Sequence, residues 1–342
     1  MPAFFCHWRE EGERDTGNGR NAGGLNVNFF TIRDLCYLFG GSGDATIDSG
    51  SKVRRIEGDL IMAYHKPAQI AEVTVENGIK KAHNPLLTVL ILGFLGGAFI
   101  ALGFLLDIRV IASAPEEWGS FATFIGAAVF PIGLILVLLA GGELLTGNMM
   151  AVPLARMAGR ISTGEVCKNL VLITLSNFVG ALFVAYFFGH VVGLTASGPY
   201  LDKLVDMAGH KLDDSFLPAF VSGIGCNWLV ALAVWLSYGA DNMSGKILGI
   251  WFPTMAFVAI GFQHVVANMF LIPAAIFEGY YSWSEYLGNF VPVWLGNLTG
   301  GGLFVAGAYW TAYLKDRGTK ADSGAGQGAG ASVSAKTGSR TA

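Results

Sequence analysis

Six charge-free apolar stretches, each about as long as a hydrocarbon layer is thick, decide which solvent this chain folds in. They run approximately Leu86–Leu106, Phe121–Ala140, Leu170–Leu194, Phe216–Tyr238, Ile247–Phe277 and Phe290–Leu314, against the ~20 residues that a membrane helix needs. None shows the period-2 alternation of a barrel strand, and in lipid a helix satisfies its own backbone hydrogen bonds. With 53% of its residues hydrophobic and 14% charged, the chain carries more apolar surface than one water-soluble core hides. The expectation is an all-α membrane protein with six transmembrane helices within residues 66–317 and the lipid bilayer as its partner.

Short loops rich in Lys and Arg stay in the cytoplasm. Arg54, Arg55, Lys66, Lys80 and Lys81 precede the first stretch, Arg156, Arg160 and Lys168 lie between the second and third, and Lys315, Arg317 and Lys320 follow the sixth. These segments read as inside. The alternate loops read as outside: Asp107, Glu116 and Glu117 against Arg109, then Asp202, Asp206, Asp213 and Asp214 against Lys203 and Lys211, then Glu278 and Glu285. A multi-pass protein of the cell membrane with both termini cytoplasmic follows. Residues 1–65 and 318–342 are polar and rich in small residues, and are expected to be largely disordered. The net charge of −3 points to no nucleic-acid partner. Cys6, Cys36, Cys167 and Cys226 share no metal or redox spacing, so neither a disulfide framework nor a metal or cofactor is expected.

The chain also repeats itself at an offset of 120. Asn148, Met149, Val152 and Pro153 recur as Asn268, Met269, Ile272 and Pro273, and Asn177 and Gly180 recur as Asn297 and Gly300. Each half, about 86–197 and 216–315, holds three stretches. An odd number per half makes the second enter the membrane from the opposite face, an inverted repeat with its site near the midplane. In each half the middle helix is interrupted, by Gly141-Gly142-Glu143-Leu144-Leu145-Thr146-Gly147-Asn148 and by Gly261-Phe262-Gln263-His264-Val265-Val266-Ala267-Asn268. The second and fifth helices should therefore break, with Gly142, Asn148 and Asn268 serving the break. Two broken helices aim unpaired N–H groups and positive dipole ends at one midplane, which suits an anion.

At these residues the chain resembles the formate/nitrite transporter family. The Gly-Gly-Glu-Leu-Leu-Thr-Gly-Asn run ending at Asn148, Gly225-Cys226-Asn227-Trp228-Leu229-Val230, Gly261-Phe262-Gln263-His264 to Asn268-Met269, and Gly296-Asn297 resemble its signatures in order, over roughly Lys80 to Lys315. The resemblance implies an aquaporin-like protomer with its own pore, assembled as a homopentamer, that carries formate, nitrite or a related short monocarboxylate, with protons in some members. It implies His264 as the central pore histidine, Thr146 as its partner on the other broken helix, and Asn227 and Asn297 as nearby polar groups. It also implies Phe130 with Leu134 and Phe257 with Val230 as apolar constrictions, Leu144 and Leu145 as a mobile loop, and Lys80 or Lys81 as the basic residue of the cytoplasmic vestibule. Many members carry Glu before the central histidine, where this chain has Gln263.

Each of these residues has a plainer reading. His264 is ionisable near physiological pH and buried in a predicted span, which marks it functionally, yet a neutral histidine that only bonds backbone at the break fits too. In an apolar constriction a neutral donor is favoured over a standing cation. Thr146 is equally a threonine bonding backbone at a kink, and Asn227 and Asn297 equally interhelical glue. Phe130 and Phe257 are singled out by the resemblance alone. A membrane enzyme is disfavoured, since no metal-spaced cluster or nucleophile–base pair lies in the stretches. A water channel is disfavoured because Asn148 and Asn268 are followed by Met instead of Pro-Ala. A passive channel for bicarbonate, hydrosulfide or lactate stays open beside the proton-linked one.

Overall fold

The computed structural model describes residues 64–315. The expectations for the two ends, including Cys6, Cys36, Arg54, Arg55, Arg317 and Lys320, lie outside the described residues.

A helix that the apolar stretches do not reveal comes first. α1 (Pro67–His83) starts on Pro67, whose missing N–H costs nothing in a first turn, while the Gln69 carboxamide accepts from the Lys66 N–H at 2.8 Å. Its Ile70, Ala71, Thr74, Val75 and Gly78 form one buried stripe, and the charges on its other face kept it out of the hydropathy pattern.

Among the described residues, six helices are long and apolar enough to cross a membrane: α2 (Leu86–Ile111), α3 (Ser120–Gly141), α5 (Thr163–Val191), α7 (Phe216–Gly239), α8 (Met243–Ile260) and α10 (Trp283–Leu314). Between them sit α4 (Leu145–Met157), α6 (Gly198–Leu212) and α9 (Val265–Phe277). The second and fifth spanning segments are therefore each built of two pieces, α3 with α4 and α8 with α9. Two assignments change. Asp107 and Arg109, read as loop charges, lie on the last turns of α2; Asp107 is buried, and Arg109 donates to the Leu194 carbonyl at 3.0 Å while its guanidinium covers the Tyr200 ring. The acidic segment after α5, read as a loop, is the amphipathic helix α6, with Leu204 and Ala208 inward.

Loop contacts sort the molecule into two ends. His65 meets Asp241, Arg160 meets Glu76 and His83 meets Glu165 at one end. His190 meets Glu278, and Tyr281 donates to the Val205 carbonyl, at the other. The segments read as inside thus gather together, as do those read as outside.

The 120-residue repeat extends well into the hydrogen bonds. Ser162 and Ser282 cap α5 and α10, each closed by a glutamate three residues on, Glu165 and Glu285. Leu145 N–H donates to Asn177 Oδ1 at 2.8 Å, and Val265 N–H to Asn297 Oδ1 at 3.0 Å. Asn148 donates to Asn169 at 3.0 Å, and Asn268 to Asn289 at 2.9 Å. Helices pair through glycine: a Cβ on Gly96 would strike the Glu143 carbonyl, one on Gly180 that of Phe94, and one on Gly300 that of Ile224. Backbones in such contact rely on close packing, which is how helices associate where lipid offers no hydrophobic drive. Gly300–Gly302 accordingly form a packing face.

Candidate functional site

The two breaks turn on glycines 120 apart, Gly141 at φ 106° and Gly261 at φ 89°. Both lie in the left-handed region that side chains resist. Gly142, expected to serve that turn, is extended at φ −163° and instead lies against Gly96, where a Cβ would come within 3.4 Å. From each turn the chain runs extended through Leu144 and His264, which are the N-caps of α4 and α9.

At the start of α9, Ala267 N–H donates to His264 Nδ1 at 3.1 Å. With that lone pair occupied, a neutral ring carries its hydrogen on Nε2, and Nε2 lies 3.0 Å from Thr146 Oγ1 in the first turn of α4. The ring therefore donates to the threonine, whose own hydroxyl hydrogen remains to be given elsewhere. Both side chains are buried, and the His264 ring stacks on Phe257 at 5.5 Å between centroids. Phe257 in turn meets Phe130 edge to face, at 5.6 Å and 88°.

Two spaces share Phe130, Phe257 and His264. One is a cleft opening past Phe104, Met207, His210 and Lys211. The other is a slot too tight to admit a water molecule, walled by Leu134, Leu144, Val230 and Thr254. The aromatic pair thus forms one contact between cleft and slot, and Leu134 and Val230 line the slot together. Leu145, the first residue of α4, is fully buried.

The asparagines divide differently from expectation. Asn297 is wholly spent on backbone: besides accepting from Val265, its amide donates to the carbonyls of Gly223 at 2.9 Å and Gln263 at 3.0 Å. Asn177 does the same for the first break, donating to Gly93 at 2.7 Å and Glu143 at 2.8 Å. Asn148 and Asn268, expected to bond freed backbone, bond side chains. Asn227 donates to the Asn297 carbonyl at 2.7 Å and to that of Thr146 at 3.2 Å, while its Oδ1 has no partner.

Of the two candidate lysines on α1, Lys81 reaches the break, with its ammonium 2.7 Å from Glu143 Oε2; Lys80 is exposed. Burial lowers the Lys81 pKa, but the Glu143 carboxylate and the nearby Tyr238 phenol together more than offset it, so the value ends above the ordinary lysine one. The opposite cleft has a lysine that the sequence reading left among loop charges. Lys211 donates to the Gly261 carbonyl at 2.8 Å, and burial holds its pKa below the usual value against the pull of nearby anionic groups, Asp214 among them. Gln263 explains its own identity: its amide donates to the Lys211 carbonyl at 3.0 Å and to Asp214 at 2.8 Å, while its oxygen accepts from Asn268 at 2.7 Å. A carboxylate could not donate there and would face Asp214 as a like charge. Among the described residues no cluster of three His, Cys, Asp or Glu is placed to hold a metal.

Comparison with known proteins fits this architecture. The family model described as formate/nitrite transporter matches residues 68–311. The uncharacterized transporter YrhG of Bacillus subtilis (strain 168) is 61% identical over 76% of this chain and 98% of its own length. The formate channel BtFdhC of Bacillus thuringiensis is 57% identical over 74% of this chain and 98% of its own. Among solved structures, a pentameric formate channel with formate bound superposes with a TM-score of 0.61 at 30% identity, over 69% of this chain and 99% of that one. An FNT family ion channel superposes with a TM-score of 0.67 at 30% identity, over 71% and 98%. The chain is an integral membrane protein of the formate/nitrite transporter family.

Proposed function

We propose that this protein conducts a small monovalent anion, formate or nitrite or a related short monocarboxylate, through a pore in each protomer, with the anion crossing the narrowest part paired to a proton. The observation that carries this reading is the Ala267–His264–Thr146 chain, which fixes the His264 ring in the wall of a mostly apolar slot between two helix starts.

Lys211, which lines the cleft at one mouth, raises the local anion concentration. Between Phe130 and Phe257 there is no room for a hydration shell, and a bare anion pays heavily for losing it. The Thr146 hydroxyl, polarised by the His264 Nε2–H, replaces part of that shell. An imidazolium would need a hydrogen on Nδ1, where the Ala267 N–H already points, so the ring serves as a neutral donor throughout. The proton then travels on the cargo, picked up in the vestibule. Formate channels among the relatives support this cargo class, and the pentameric neighbour supports a homopentamer; the Lys- and Arg-rich segments support both termini on the cytoplasmic side of the cell membrane.

The test is uptake of labelled formate and nitrite into proteoliposomes, with and without an inward proton gradient. Flux that rises with external acidity is expected. His264→Asn keeps a cap for Ala267, since Asn is a strong N-cap, but loses the ring donor. Its flux should fall at least about tenfold, the scale of one hydrogen bond to a charged partner; wild-type flux from a correctly assembled variant rules out the histidine's role.

A further inference from the structure

Thr254 is a residue of the slot that neither the repeat nor the resemblance singles out. It lies on α8, one turn before Phe257, and is buried with its Oγ1 unpartnered. Threonines inside helices ordinarily turn the hydroxyl back onto the carbonyl four residues earlier. Here Thr74, Thr174, Thr299 and Thr311 all do so, at 2.7, 2.6, 2.9 and 2.8 Å. Thr254 does not. A buried hydroxyl without a partner is costly in an apolar wall, and this one belongs to the same slot as His264, Leu134, Leu144 and Val230. Asn227 and Asn297 do not line this slot, so the Thr254 hydroxyl is its second polar side chain beside His264.

We propose that Thr254 is a cargo-contacting residue: its hydroxyl hydrogen-bonds a second oxygen of a planar oxyanion or its acid while the first is held at the Thr146–His264 pair. Formate and nitrite each offer two oxygens. A hydroxyl both donates and accepts, so it serves the ionised cargo as a donor and the protonated cargo as an acceptor. The proposal rests on the anion-conducting reading above.

The experiment measures formate flux in proteoliposomes for the wild type, Thr254→Val and Thr254→Ser, each checked for oligomeric state. Val keeps the shape of Thr and loses the hydroxyl; Ser keeps the hydroxyl and loses the methyl. A cargo contact predicts a loss of about tenfold in Val and at least half of wild-type flux in Ser. Wild-type flux in Val overturns the proposal, and so does an equal loss in both variants, which is the signature of packing alone. If the wild type itself moves no formate, the anion reading falls and this inference falls with it; flux in the wild type that Val does not diminish removes Thr254 only.

Discussion

Asn297 satisfies three backbone groups with one side chain, and every one of them lies beside the second break. Removing it leaves the Val265 N–H and the carbonyls of Gly223 and Gln263 without partners in a place water does not reach. At ~1–3 kcal/mol per stranded group, Asn297→Ala should cost several kcal/mol. Asn227→Ala should cost less, because the Asn227 oxygen is already unpartnered and only donors are lost. Thermal loss of the folded species in detergent, followed by size-exclusion chromatography, gives the ranking; equal midpoints for the two variants would contradict it. The sequence pointed to both asparagines but not to this division of labour. Side-chain amides look alike in a string of letters, and which one faces a broken helix depends on how α7 and α10 pack. Thr254 was hidden for a related reason. A threonine in a helix has a default partner, and only coordinates reveal that the default is not taken.

At the level of elements, glycine-mediated contact sets how closely α2 approaches α5, and α7 approaches α10. Gly180→Ala places a methyl group against the Phe94 carbonyl, which is backbone and cannot turn aside. About 1–3 kcal/mol of destabilisation is expected, the usual scale of overpacking. Gly288, also helical, has nothing near its would-be Cβ, so Gly288→Ala should be neutral or stabilise by ~0.5–1 kcal/mol through helix propensity alone. Parallel unfolding assays on the two variants test whether contact or propensity governs. The breaks themselves were legible, since polar residues and glycine stand out in apolar runs. The helices α1 and α6 were not. Their charges mask them from hydropathy, and their amphipathic stripes become evident only against the surfaces they cover, such as α4 for α1.

On the scale of the whole molecule, the apolar exterior has no counterpart among the described residues. Leu87, Leu217 and Val192 are 68%, 66% and 62% exposed, more apolar surface than water tolerates. Lipid takes part of it, and the proposed pentamer takes more. Native mass spectrometry in mild detergent should report five copies, and a lone protomer as the persistent species would contradict that assembly. The spans could be read from the sequence because hydrophobicity is summed along the chain. The neighbour-facing surface could not, because lipid and protein partners ask for the same residues. The His264 cap has a further consequence for how such a protein can change over time. The ring proposed to meet the cargo is also the N-cap of α9, so any substitution there that does not itself cap strikes assembly and flux together. Position 264 thus tolerates few substitutions, and new cargo preferences arise more readily from slot neighbours that cap no helix. Thr254 and Val230 are the natural places for that drift, and a selection for altered specificity should enrich changes there while leaving the histidine untouched.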